Sequence, residues 1–314
     1  MTRAFVFPGQ GAQVIGMGAD LAKAHPAAKA VFDEVDEALG ENLSTLIWEG
    51  AQDDLTLTAN AQPALMATSL AAMRMLAAEG VDVGQAAFVA GHSLGEYSAL
   101  AAAGALGVGD TARLLRIRGR AMQEAVPVGV GAMAALLGLD FETARAVAEE
   151  AAQGEICQAA NDNDPAQVVV SGHKAAVERA VELAKAKGAK RAVILPVSAP
   201  FHCDLMAPAA EAMAAALEDV TIAAPAVPLV SNVRAEPVIE PGEIKQLLIA
   251  QVTAPVRWRE SVQAMARGGV TEIWEIGAGK ALSGMIRRID RGIGCRTVGT
   301  PDEVTAAVSA EQTG

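Results

Sequence analysis

Gly91-His92-Ser93-Leu94-Gly95-Glu96-Tyr97-Ser98 is the stretch from which the fold can be read. Before it stands Ala86-Ala87-Phe88-Val89-Ala90, a short apolar run of strand length. After it, Ser98-Ala99-Leu100-Ala101-Ala102-Ala103 is rich in helix formers. Strand, Gly-x-Ser-x-Gly turn and helix together make a nucleophile elbow. The tight turn needs glycines where a Cβ would clash. It lifts the serine hydroxyl to a helix N-terminus, where dipole and free N–H groups favour developing negative charge. The alternative reading of the same residues is a glycine-rich connection whose serine merely caps the helix.

The rest of the chain extends this pattern. Ala4-Phe5-Val6-Phe7 predicts a strand running into the turn Pro8-Gly9-Gln10-Gly11-Ala12-Gln13. A dinucleotide fingerprint would need a third glycine where Val14 stands, so the turn offers approachable backbone N–H groups instead. Helical spacing covers Asp20 to Leu39. Gln62-Pro63 is expected to open a helix over Ala64 to Glu79, and Asp110 to cap one from Thr111 to about Val126. Strands then alternate with helices to Arg288, which predicts a mainly parallel sheet covered on both faces, an α/β-hydrolase-like core. The last dozen residues read as frayed.

Between Gly131 and Val197 the order changes to strand, helix, strand, strand, helix, strand. Asn161 to Pro165 is read as the turn between the two middle strands. This βαββαβ order predicts an inserted ferredoxin-like unit. The expected division is 129–196 for the small unit, and 1–128 with 197–314 for a discontinuous catalytic domain.

Composition narrows the classes. Of 314 residues, 52% are apolar and 20% charged, which excludes disorder for most of the chain. The best apolar run, Pro63 to Ala78, is broken by Arg74 and falls short of a membrane span of about 18 residues. No signal-peptide core is evident, so a cytoplasmic protein is expected. A net charge of −12 argues against nucleic acid as the main partner. The three cysteines are widely spaced and support neither a disulfide framework nor a metal site.

A serine nucleophile needs a base, and there are four histidines. His25 falls in a surface helix, His92 is turned away within the elbow, and His173 opens a helix of the small unit. His202, in the loop Ser198-Ala199-Pro200-Phe201-His202-Cys203-Asp204, remains. Asp204 is too near in sequence to orient it, so a Ser93–His202 dyad is expected, its imidazole held by a backbone carbonyl. One further residue stands out. In the Thr111–Val126 helix, Arg118 falls at the centre of the apolar stripe, while Arg113, Arg116 and Arg120 face away. A buried guanidinium needs partners: a fixed internal salt bridge, a set of backbone carbonyls, or a substrate carboxylate clamped by its fork.

These residues sit within a set of segments, FVFPGQGAQ, GHSLGEYSAL, RGRAMQEAVP, SAPFHCDLM, QVTAPVRW and EIGAGKAL. In that order, over nearly the whole chain, they resemble the malonyl-CoA:acyl-carrier-protein transacylase family of bacterial type-II fatty-acid synthesis. The resemblance implies a ping-pong acyl transfer from malonyl-CoA through a malonyl-serine ester on Ser93, with His202 as acid and base. It implies an oxyanion hole from the N–H groups of Gln10 and Leu94, and Arg118 as partner of the malonyl carboxylate. Gln251 would orient the histidine through its backbone carbonyl. Asn161 and Gln62 would line the acyl pocket, and Phe201 would crowd an α-methyl branch. No cofactor and no metal are implied; the expected partners are malonyl-CoA and acyl carrier protein, with no membrane or nucleic acid, and the expected state is a monomer. An acidic carrier calls for local cations, with Lys187, Lys190, Arg191, Arg287, Arg288 and Arg291 the candidates. Other readings are a serine esterase or thioesterase acting on acidic acyl thioesters, a transferase serving a polyketide pathway, and a non-catalytic carrier-binding protein.

Overall fold

A computed structural model describes residues 2–312. Its strands are β1 (Arg3–Phe7), β2 (Phe88–Gly91), β3 (Gly131–Leu137), β4 (Cys157–Asp164), β5 (Gln167–His173), β6 (Arg191–Ile194), β7 (Leu229–Val230), β8 (Pro237–Val238), β9 (Glu272–Ile276) and β10 (Gly294–Val298). They form a six-stranded sheet in the order β10-β9-β1-β2-β7-β8 and a four-stranded sheet in the order β4-β5-β3-β6. The larger sheet is parallel except for the edge pair β7–β8.

Alternation along β1 explains why both faces of the larger sheet are covered. Phe5 and Phe7 join the core beneath the helices Thr58–Ala78 and Val108–Glu124. Ala4 and Val6 point the other way, into a cluster with Trp258, Val262 and Ile286. A parallel strand buried on both sides carries no polar alternation, and Ala4 to Phe7 has none.

The smaller sheet is antiparallel, and its strand order is that of a ferredoxin-like unit. The helices Phe141–Ala152 and Lys174–Ala186 cover one face, over Leu136, Val168 and Val170. The other face presents Met133, Ala135 and Val169, which pack with Leu195, Val197 and Phe201.

Several expectations are corrected. Asn161–Asp164 is not a turn but the end of β4, carried past two irregularities in register. The segment stays extended because the larger unit supplies partners. The Asp162 N–H donates to Val256 O (2.9 Å), and Val256 N–H to Ala160 O (2.9 Å). The buried carboxylates of Asp162 and Asp164 pair with Arg259 and Arg288. Pro63 lies inside the helix Thr58–Ala78 instead of opening it. A proline there cannot donate to the carbonyl four residues back. That carbonyl, Ala59 O, accepts from Arg116 Nη1 at 2.6 Å. Arg116 is therefore buried, not outward, and also pairs with Glu41.

Asp110 sits in the first turn of its helix, which begins at Val108. The run from Asp20 to Leu39 is two helices, Ala19–Ala24 and Pro26–Leu39, parted at His25-Pro26. Pro301–Gln312 is a helix with Val304, Ala307 and Val308 buried, where fraying was expected; its ordering comes from packing that local sequence does not show. Thr313 and Gly314 lie outside the described residues.

Candidate active site

The parallel register pairs Phe7 with Gly91, and Ala90 with Val230. The segments leaving β1, β2 and β7 therefore emerge side by side at the carboxyl ends of the strands, where open α/β sheets place their ligands. Leaving β2, the chain turns through Ser93 at φ +54° and enters the helix Gly95–Ala102. A left-handed serine costs of order 1–2 kcal/mol. The surroundings hold it there. A Cβ on Gly91 would lie 1.9 Å from the carbonyl carbon of Gly95, and one on Gly95 would lie 2.2 Å from Phe7 O. Asn232, just beyond β7, accepts the Ser93 N–H (2.8 Å) and donates from Nδ2 to Gly91 O (2.6 Å). Nothing in the local sequence marks Asn232 for this role; its position past a strand's carboxyl end is the one available hint.

His202, buried and at φ +56°, faces this serine. Its Nδ1 is 2.9 Å from Gln251 O and 3.2 Å from Ala254 O. Carbonyl oxygens only accept, so Nδ1 carries the proton and Nε2 the lone pair. The Ser93 Oγ–H then donates to Nε2 at 2.8 Å. Burial, then the charge of Arg118, pushes the imidazole down to about 3, which keeps the ring neutral and able to act as a base. Asp204 is turned elsewhere, onto Gln158 (2.8 Å). The remaining histidines have other partners. His25 and His173 accept the N–H groups of Ala27 and Ile156, and His92 donates to Asn163 Oδ1 (2.8 Å). His92 is not turned away from the site, since it lines the cleft described next.

Arg118 is 1% exposed. Nη1 donates to Gln62 Oε1 (2.8 Å), and Nη2 to Gln251 Oε1 (2.8 Å) and Ser93 Oγ (3.1 Å). All three acceptors are neutral, and among the described residues no carboxylate lies within ion-pair distance of it. Of the explanations open for a buried arginine, neither the fixed internal salt bridge nor a set of backbone carbonyls is found among the described residues. A desolvated guanidinium whose hydrogen bonds go to neutral acceptors has the chemistry to take an anion.

A cleft of about 520 Å³ takes in Gln10, Gln62, Ser93, Leu94, Arg118, Asn161, Phe201 and His202. Gln251 stands behind it, fully buried. The N–H groups of Gln10 and Leu94 are not donated to other groups in the hydrogen bonds of the described residues. Both residues line the same cleft as Ser93. The uncovered face of the smaller sheet closes the opposite wall with Met133, Ala135 and Val169. Among the described residues no cluster of metal-ligating side chains occurs, and no helix is long and apolar enough to cross a membrane.

The chain matches the family described as acyl transferase domain over residues 4–287. It is 48% identical over 306 residues to the malonyl CoA-acyl carrier protein transacylase of Bacillus subtilis (strain 168), covering 97% of this chain and 96% of that one. The crystal structure of an acyl-carrier-protein S-malonyltransferase from Bartonella henselae is 56% identical, with a TM-score of 0.96 and 99% of each chain covered. A malonyl-transacylase solved in complex with a type II polyketide acyl-carrier protein is 42% identical, with a TM-score of 0.96, covering 99% of this chain and all of that one.

Proposed function

The chain belongs to the acyl transferase domain family, and from that premise we propose that it moves malonyl from malonyl-CoA to the phosphopantetheine thiol of acyl carrier protein, supplying fatty-acid chain elongation. The observation that carries this reading is the convergence on one hydroxyl. Ser93 Oγ lies 2.8 Å from a neutral imidazole nitrogen and 3.1 Å from a buried guanidinium. The first contact activates an oxygen nucleophile; the second selects an acyl group bearing a negative charge.

In the first half-reaction, the Arg118 fork takes the malonyl carboxylate and brings the thioester carbonyl over Ser93. As Oγ bonds to the carbonyl carbon, its proton passes to His202 Nε2. The N–H groups of Gln10 and Leu94 hold the resulting oxyanion, each worth about 3 kcal/mol in such sites. Collapse breaks the C–S bond, and His202 returns its proton to the departing coenzyme A thiolate. In the second half, His202 takes the proton of the carrier's thiol, the thiolate attacks the malonyl-serine ester, and Ser93 recovers its proton. No redox step or metal is needed. Asn161 and Gln62 serve as pocket walls, and Phe201 crowds the space beside the acyl α-carbon.

The catalytic unit is residues 1–128 with 197–314, and 129–196 is the small unit that walls the acyl pocket. The enzyme works in the cytoplasm as a monomer. A brief exposure to malonyl-CoA followed by intact-mass measurement tests the reading. One malonyl adduct, absent in Ser93→Ala and discharged by phosphopantetheinylated carrier, is the expected result. Rapid release of malonate without carrier would make the protein a thioesterase, and the absence of any adduct would leave a carrier-binding protein.

A further inference from the structure

Behind the site lies a carboxylate that takes no part in those steps. Glu96, three residues after the nucleophile, is 1% exposed. Its Oε1 accepts the Asn232 N–H (3.3 Å), and its Oε2 accepts from Gln251 Nε2. The same Nε2 also faces Ser93 O (3.0 Å) and Asn232 Oδ1 (3.4 Å). Every group on this side of the Gln251 amide is therefore an acceptor. The Asn232 oxygen is itself assigned, because it takes the Ser93 N–H while Nδ2 donates to Gly91 O. An amide so placed can orient only one way, nitrogen toward the acceptors and oxygen away. The oxygen then meets Arg118 Nη2. Gln62, the other amide on Arg118, has no such lock: its nitrogen meets only the Met122 sulfur, at 3.6 Å.

We propose that Glu96 is a positioning residue that sets selectivity for a charged acyl group, by locking the Gln251 amide with its oxygen on Arg118. A carboxylate is needed, because a neutral amide at position 96 could offer N–H groups to Gln251. The Gln251 side chain could then reverse and turn its own N–H groups on Arg118. Burial pushes the Glu96 carboxyl up to about 7, so the contact is best tested at pH 8, where the group is ionised.

The inference rests on Arg118 receiving the malonyl carboxylate. Wild-type enzyme and Glu96→Gln are compared at pH 8 for acylation by malonyl-CoA and by acetyl-CoA, reading the ratio of the two kcat/KM values. In Glu96→Gln the ratio is expected to fall tenfold or more, with acetyl transfer kept. A loss of structural integrity alone would lower both activities together and leave the ratio unchanged, and an unchanged ratio overturns the proposal. Gln251→Leu removes the amide without touching the carboxylate and keeps the backbone carbonyl that holds His202. It must shift the ratio the same way, and it carries the test if Glu96→Gln does not fold. With Gln251→Leu already in place, adding Glu96→Gln should change the ratio no further; an additional drop would mean that Glu96 acts by another route. If the wild type forms no malonyl adduct, it is the functional reading that fails, and this separates the two.

Discussion

Arg118 Nη2 stands 3.1 Å from Ser93 Oγ, on the side of the hydroxyl not used by His202. One oxygen therefore has a base and a buried cation within hydrogen-bond reach. Under the proposed function the two contacts would divide the work: His202 would move protons for any acyl group, whereas Arg118 would discriminate among acyl groups.

That division predicts the behaviour of Arg118→Ala. A hydrogen bond to a charged group contributes about 1.5–3 kcal/mol, so malonyl transfer should fall roughly tenfold to a hundredfold or more. Acetyl transfer should persist or rise. Acylation rates with the two thioesters decide it, and an equal fall in both would remove Arg118 from acyl recognition.

The histidine should stay neutral over the whole working range. Burial and the Arg118 charge both disfavour the imidazolium, placing His202 at about 3, against an ordinary value near 6.5. His92, also held low by burial, adds no opposing charge. A folded value below the unfolded one means stability that is present above about pH 6.5 and lost as the pH drops toward 3. NMR of the ring carbons should show no His202 titration between pH 8 and 5. A midpoint near 6.5 would contradict the buried, neutral ring.

The elbow tolerates no side chain at its second glycine. In Gly95→Ala the new methyl would lie 2.2 Å from Phe7 O, a backbone atom that cannot swing aside. A cost of about 3 kcal/mol or more follows from such overpacking. Thermal unfolding should show a markedly lowered Tm for Gly95→Ala, while Ser93→Ala remains close to wild type. Equal midpoints for all three proteins would mean that the turn relaxes more easily than its geometry implies.

Carrier docking should depend on a subset of the candidate cations. Lys187 is engaged by Glu150, and Arg288 by Asp164. Lys190 and Arg191 are exposed at the start of β6, which runs on into Leu195, Pro196 and Val197 of the cleft. Charge reversal at these two should slow transfer to an acidic carrier several-fold at low salt and leave acylation by malonyl-CoA intact. An unchanged carrier rate at low salt would move docking elsewhere, with Arg287 and Arg291 next to be reversed.

The chain carried its local chemistry in plain view. Ser93 could be singled out because a strand, two glycines and a helix former fit a nucleophile elbow, although the same residues also fit a capped connection. His202 emerged because only four histidines compete, and Arg118 because a charge on an apolar stripe needs an explanation. The βαββαβ order was equally legible, since its periods switch within short segments. Other features required the assembled molecule, because they depend on atoms far apart in sequence. Asn161–Asp164 reads as a turn until Val256, Arg259 and Arg288 supply its partners. Pro63 reads as a helix start until Arg116 takes the carbonyl it leaves free. Asn232, Glu96 and Gln251 form one network only because parallel strands end side by side, and hydrogen-bond direction among them is fixed by geometry that no local pattern encodes. A residue's type sets what it can donate, accept or ionise; the fold settles which groups it meets.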